Sequence, residues 1–386
     1  MKKWLSSKLP ADRHAPAAIP QSQNQADKSY VNAVYYPNWK VYSGQGPSSL
    51  MADCVTHIFY AFLWPAEDGS VISSDDYADT KIEVDGVKGC ISALAQLKTR
   101  HSHLKTLVSI GGGGEGSSKF AHITGSESIR KAFARNVRQF VDSHGFDGVD
   151  SMATLVLLTL LMLTVDWEHP RDLHKEGMHY AELLRDLRTE MPYPDYILTS
   201  ALPAGEWALQ NIPLSLSEPM LNFINVMAYD FAGPWVSQVG HHAQLYAPKR
   251  PHNDAARISG DSAVRYLQSK GVPSHKIVLG IPAYGRSFLG ATKIGESYSG
   301  HAGAEGTFEY RDLPRPGAEE HFDQKTIAAY CIGGDGGFVT YDTAETVKTK
   351  ANYVRSNQLG GMFYWTGAGD AQGSRSLVMA GFEILR

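Results

Sequence analysis

The chain has 386 residues, 43% of them hydrophobic and 20% charged, with a formal net charge of −4. That is enough apolar material for two average domains or one large α/β barrel. The mildly acidic balance, with a pI near 6.4, offers no electrostatic attraction to nucleic acid or an anionic membrane, so neither is expected as a partner.

Residues 1–29 are polar and rich in Ala, Pro, Gln and Ser, which reads as a disordered leader. The first ten residues are basic but carry no apolar h-region, and no Asn-x-Ser/Thr sequon occurs. The expectation is a cytoplasmic or otherwise intracellular protein, or a secreted one if its amino terminus is mis-assigned. Cys54, Cys90 and Cys331 are odd in number and far apart, so they are expected to be buried free thiols.

Beyond the leader, short apolar runs alternate with segments of helical period. The runs are 31–36, 55–63, 104–110, an interrupted fourth, 196–202, 222–229, 276–284 and 360–365. Between them, 129–144 (Phe133, Val137, Phe140, Val141) and 177–191 (Tyr180, Leu183, Leu184, Leu187) repeat apolar residues at helical spacing. Eight such strands with intervening helices predict a closed parallel (β/α)8 barrel, an α/β fold, over 30–288 and 338–386. The connection before the last helix is too long for a bare loop, so 289–337 is predicted to form a small α+β insertion at the barrel rim.

The fourth run carries the chemistry. It reads Phe146-Asp147-Gly148-Val149-Asp150, then fourteen mostly apolar residues, then Val165-Asp166-Trp167-Glu168-His169-Pro170. With 151–164 removed, Asp150, Asp166 and Glu168 stand at every second position and share one face of a strand. Carboxyl groups crowded in this way repel, so at least one keeps its proton near neutral pH, as a general acid must. Polar and aromatic residues also mark the predicted carboxyl ends of other strands, where a barrel holds its active site. They are Tyr35 through Trp39, Phe62, Ser109 through Gly114, Met227 through Asp230, and Trp365. Gly111 through Gly114 lacks a following Gly-Lys-Ser/Thr and is read as a tight turn, not a phosphate cradle. His241-His242 has no metal-like partners and is read as surface loop.

In this order the motifs identify the chain as similar to family 18 glycoside hydrolases, the chitinases, in the fungal and bacterial subgroup with an α+β insertion before the last strand. The likeness runs from about residue 30 to the end and rests on Asp147, Asp150, Asp166 and Glu168, which match the family's Asp-x-x-Asp-x-Asp-x-Glu signature once 151–164 are set aside. The resemblance implies hydrolysis of β-1,4-linked N-acetylglucosamine chains with the substrate's own acetamide as nucleophile and no cofactor or metal. Glu168 would be the general acid, Asp166 would hold the acetamide N–H, and Asp150 would share a proton with Asp166. Tyr229 would bind the acetamide oxygen, Asp230 and Arg286 the distorted sugar, Trp365 would form its floor, and Trp39 and Trp235 would stack on flanking sugars. Tyr35, Phe62, Asp147, Met227 and Tyr284 complete the implied substrate contacts. The partner would be chitin or a chitooligosaccharide, and the protein a monomer. Two alternatives stay open: a chitin-binding, lectin-like protein with little or no turnover, and an endo-β-N-acetylglucosaminidase.

The segment 151–164 has no counterpart in that pattern and is too short to span a membrane, which takes ~20 apolar residues. Its flanking residues, Ser151-Met152 and Thr164-Val165, are compatible with splice-site codons, so it is readable as a retained intron. If translated, it leaves two registers for the fourth strand. Leu-Met-Leu-Thr-Val suits a buried strand, so 161–168 is expected in the barrel. That places Thr164 where Asp150 belongs, displaces Asp150 and Asp147 toward the barrel bottom, and lowers activity.

Overall fold

Parallel strands buried on both faces read as continuous Val, Ile, Leu and aromatic runs, and eight of those runs pair with one another. The computed structural model of the protein describes residues 29–113, 115–152 and 170–386. Its barrel strands are β1 (Val31–Pro37), β2 (His57–Pro65), β3 (Lys105–Gly111), β4 (Gly148–Met152), β5 (Ile197–Pro203), β6 (Phe223–Met227), β7 (Ile277–Pro282) and β8 (Gly361–Trp365). Consecutive strands are neighbours, and β1 pairs in parallel with both β2 and β8, which closes the ring.

The helices bury one face each against the strands. In α1 (Glu127–His144) that face is Phe133, Val137 and Val141; in α2 (Met178–Glu190) it is Tyr180, Leu183, Leu184 and Leu187. The helical period read from the sequence therefore marks the buried stripe in both. Among the described residues no helix is long and apolar enough to cross a membrane. The three cysteines are free and buried. The expected leader falls almost wholly on residues 1–28, outside those described.

The register of β4 differs from the expectation. Asp150 stays in the barrel, paired with Ser109 of β3 and Thr199 of β5, and the strand continues through Ser151 and Met152, opposite Gly111 and Ala201. Three features select this register. Gly145, with φ of 70°, ends α1 and leaves only Phe146 and Asp147 before the strand starts. A Cβ on Gly148 would come within 1.8 Å of the Ile197 carbonyl oxygen, so the expected register, which puts Met162 at that place, is sterically closed. Farther along, Ser200 Oγ donates to the Ser151 carbonyl at 2.7 Å and receives the Tyr180 hydroxyl at 2.7 Å. Residues 153–169, including Thr164, lie outside those described.

The insertion is a five-stranded antiparallel sheet made of Tyr284–Phe288, Thr307–Glu309, Glu319–Asp323, Ala328–Gly333 and Gly337–Tyr341. It starts only one residue after β7 and so reaches beyond the predicted 289–337 on both sides. The helical turns between its strands are short 3-10 segments. After it, Thr343 and Thr346 form a reciprocal capping box that starts the helix Ala344–Ser356. That helix holds a buried ion pair: Lys350 Nζ lies 2.6 Å from Asp342 Oδ2 and donates to the Ala243 carbonyl at 2.6 Å. The lysine thus ties the helix to the loop that follows β6. Removing one partner of a buried pair strands the other charge. Lys350→Met should therefore lower the unfolding free energy by about 3 kcal/mol in urea titration; an unchanged midpoint would contradict this role.

Candidate active site at the carboxyl end of the barrel

Strand alternation sends Asp150 into the barrel interior, where it is fully buried. Its carboxylate accepts from the Tyr35 hydroxyl at 2.7 Å, Ser109 Oγ at 3.0 Å and Thr199 Oγ1 at 2.6 Å. Asn225 Nδ2 in turn donates to the Tyr35 oxygen at 3.1 Å. Side chains from β1, β3, β4, β5 and β6 thus meet in one polar layer. Burial pushes the Asp150 pKa up and the surrounding hydrogen-bond donors pull against it. Tyr35 is held as a neutral phenol by burial and then by the nearby Asp150 charge.

Above this layer an aromatic wall forms where β8, β1 and β2 end. Trp365 stacks on Phe62 at 5.7 Å between centroids and lies 5.4 Å from Tyr35 and 6.5 Å from Trp39. Phe62 is set by a glycine. Gly112, with φ of 92°, leaves no room for a side chain, since a Cβ there would come within 2.8 Å of the Phe62 ring. Trp39 is 43% exposed, which suits a ring face meant to be covered by a ligand.

The ends of β6 and β7 supply the charged half. Asp230 lies just past β6 in the left-handed region, φ 60°, a conformation that Asp tolerates better than most residues. Tyr284 and Arg286 stand two apart on the first strand of the insertion and share a face. Arg286 Nε donates to Asp230 Oδ1 at 2.8 Å, and the guanidinium lies 4.7 Å from the Trp235 ring centre. Burial opposes ionisation of Asp230, but the Arg286 charge and hydrogen bond, with His242 close by, outweigh it and hold the carboxyl far below the usual range. Tyr229 packs edge-on against Tyr284 and Phe363. Burial, followed by the charges of Asp230 and Asp150, keeps it protonated and able to donate. A cavity of about 460 Å³ opens here, lined by Met227, Tyr229, Asp230, Trp235, Arg286 and Trp207.

Most of the expected site residues therefore gather at one barrel mouth: Tyr35, Trp39, Phe62, Asp150, Met227, Tyr229, Asp230, Trp235, Tyr284, Arg286 and Trp365. Asp166 and Glu168 lie outside the described residues. Asp147 departs from the expectation of a sugar contact. It precedes β4 at the opposite end of the barrel, where its carboxylate accepts from the Thr106 N–H at 2.8 Å and pairs with Lys98 and Lys105. His241 and His242 are not surface loop either, since both are buried. His242 Nδ1 lies 3.6 Å from Asp230 Oδ1, and His241 Nδ1 lies 3.1 Å from Thr340 Oγ1 on the insertion sheet. Sequence reading missed His242, Thr199, Asn225 and Trp207. Thr199 and Asn225 do carry a signal, being polar residues inside apolar strands. Among the described residues no group of three or more His, Cys, Asp or Glu side chains is arranged to hold a metal.

The raised pKa of Asp150 makes a test of burial. A carboxyl whose folded pKa exceeds its unfolded value of ~3.9 gives a contribution to stability that is fully present below that value. The contribution is lost as pH rises through the raised pKa. Asp150→Asn cannot ionise, so the variant should gain in melting temperature relative to the parent as pH rises above about 4. A difference independent of pH, read by calorimetry, would contradict the assignment.

The comparisons with known proteins agree with this geometry. Residues 31–370 match the family model for glycosyl hydrolases family 18. The chain is 32% identical over 379 residues to Chitinase 1 of Aphanocladium album, covering 92% of this chain and 85% of that protein. To Endochitinase 1 of Metarhizium robertsii it is 33% identical over 372 residues, covering 90% and 84%. Among solved structures, the Group IV chitinase of Ostrinia furnacalis in complex with allosamidin superposes with a TM-score of 0.78 at 25% identity, over 91% of this chain and 97% of that one. A Nicotiana class V chitinase mutant in complex with NAG4 gives 0.77 at 25% identity, over 92% and 99%. With its barrel closed, its barrel-mouth residues gathered and its sequence matched over residues 31–370, this chain belongs to glycosyl hydrolases family 18.

Proposed function

We propose that the protein is a chitinase that hydrolyses β-1,4-linked N-acetylglucosamine polymers and oligomers with retention of configuration. The observation that carries this reading is the pairing of two halves at one barrel mouth. An aromatic wall of Trp365, Phe62 and Trp39 stands with the donor and charge set of Tyr229, Asp230 and Arg286. Pyranose rings present apolar faces and polar edges, and the two halves match them. The names of the related chitinases support the same substrate.

In the proposed reaction Glu168 gives its proton to the glycosidic oxygen while the acetamido oxygen of the same sugar attacks C1. The bond from C1 to the leaving chain breaks and an oxazolinium ion forms. Tyr229 donates to the acetamido oxygen and Asp166 accepts from its N–H, which steadies the positive charge. Water then attacks C1, returns its proton to Glu168 and reopens the ring. Two inversions give net retention, and no cofactor takes part.

A second reading, binding with little turnover, is favoured by the register of β4. Met152 stands two places after Asp150 in the strand, at the position that Asp166 takes when 151–164 are removed. In the shortened chain, Val165 replaces Ser151 and the alternating carboxylate row is continuous. A fluorogenic chitooligosaccharide separates the readings. The variant lacking 151–164 should turn over at least ~10² times faster than the full chain, within the range of general acid–base catalysis. Glu168→Gln in that variant should abolish turnover. Equal rates for the two lengths would remove the segment's proposed effect, and no hydrolysis by either would overturn the chitinase reading.

A further inference from the structure

Trp207 belongs to none of the motifs that mark the site, yet it lines the same cavity as Trp235, Asp230 and Arg286. It is 45% exposed on the wall of that cavity. Its position is built. The ring is carried by the short helix Glu206–Leu209, directly after β5, and folds down over Gly205. A Cβ on that glycine would come within 2.3 Å of Trp207 Nε1, so the backbone there accommodates the indole and nothing larger than hydrogen. Ala255 and Ile258 add an apolar wall to the cavity.

Topology gives the platform its meaning. The ring of strands runs β1-β8-β7-β6-β5-β4-β3-β2 and returns to β1, so β5 lies four strands from β1 in either direction. Trp207 therefore stands across the barrel mouth from Trp39. Trp235, with Arg286 over its ring, lines the same cavity. The aromatic surface thus spans the mouth, from Trp39 and Trp365 on one side to Trp235 and Trp207 on the other.

We propose that Trp207 is a specificity-determining residue, a platform that stacks on a distal N-acetylglucosamine of a bound chain and makes affinity depend on chain length. The proposal rests on the chitin-binding reading above. Its test is calorimetric titration of the full chain carrying Glu168→Gln, to prevent turnover, with chitobiose and chitohexaose. Adding Trp207→Ala should weaken chitohexaose about tenfold, the loss of one stacked ring face, and leave chitobiose within about twofold. Trp207→Phe should restore most of the chitohexaose affinity, and thermal melts establish that each variant is folded. Unchanged chitohexaose affinity in Trp207→Ala, or equal weakening of both sugars, overturns the proposal. Binding of neither sugar by the parent overturns the chitin-binding reading itself, and the proposal with it.

Discussion

Asp150 receives hydrogen bonds from Tyr35, Ser109 and Thr199, hydroxyls delivered by three different strands, and all four residues are buried. At that depth an unmatched hydroxyl or carboxyl carries a desolvation penalty of about 1–3 kcal/mol, so these groups satisfy one another or the barrel centre fails. The carboxyl has two oxygens to share among three donors; a threonine in its place would bring one hydroxyl and could not serve them all. This sets the alternation of β4, and through it every residue that the strand presents to the barrel mouth. Two places after Asp150 the strand holds Met152, opposite Gly111 and Ala201.

The second half of the site depends on a different element. Arg286 and Tyr284 come from a sheet that leaves the barrel immediately after β7 and returns before the helix Ala344–Ser356. Arg286 is nearly all buried, and its charge is stabilised there by Asp230, 2.8 Å away, with the Trp235 and Tyr284 rings beside it. His242 closes the far side of Asp230, and burial lowers its pKa while Asp230 opposes the shift. A neutral imidazole adds no second cation beside Arg286. Behind it, Lys350 anchors the Ala243 carbonyl next in sequence. The insertion sheet therefore supplies part of the cavity wall and is not an appendage to the barrel.

Residues on the two sides of the mouth differ in how they were legible. Trp365, Tyr229 and Asp230 stand at the ends of apolar runs, and a barrel sends strand ends to one rim, so pattern alone brings them together. Asp147 also falls in the signature, but it lies before the first residue of β4 and its partners are Lys98 and Lys105. A motif spelled along the chain does not record which end of a strand each of its letters occupies. Trp207 had no motif and became visible only as an exposed indole on the wall of a cavity.

Alternation of apolar runs with helical periods is a local property, and from it the sequence alone determined the (β/α)8 barrel, its eight strands, and the rim where polar and aromatic residues collect. Three things were decided by tertiary structure: the register of β4, the burial of His241 and His242, and the reach of the insertion back to Tyr284. Each depends on atoms supplied by a distant neighbour, such as the Ile197 carbonyl that admits only glycine at position 148. Composition could not rank the two segments that compete for the fourth strand. The space left beside β5 could.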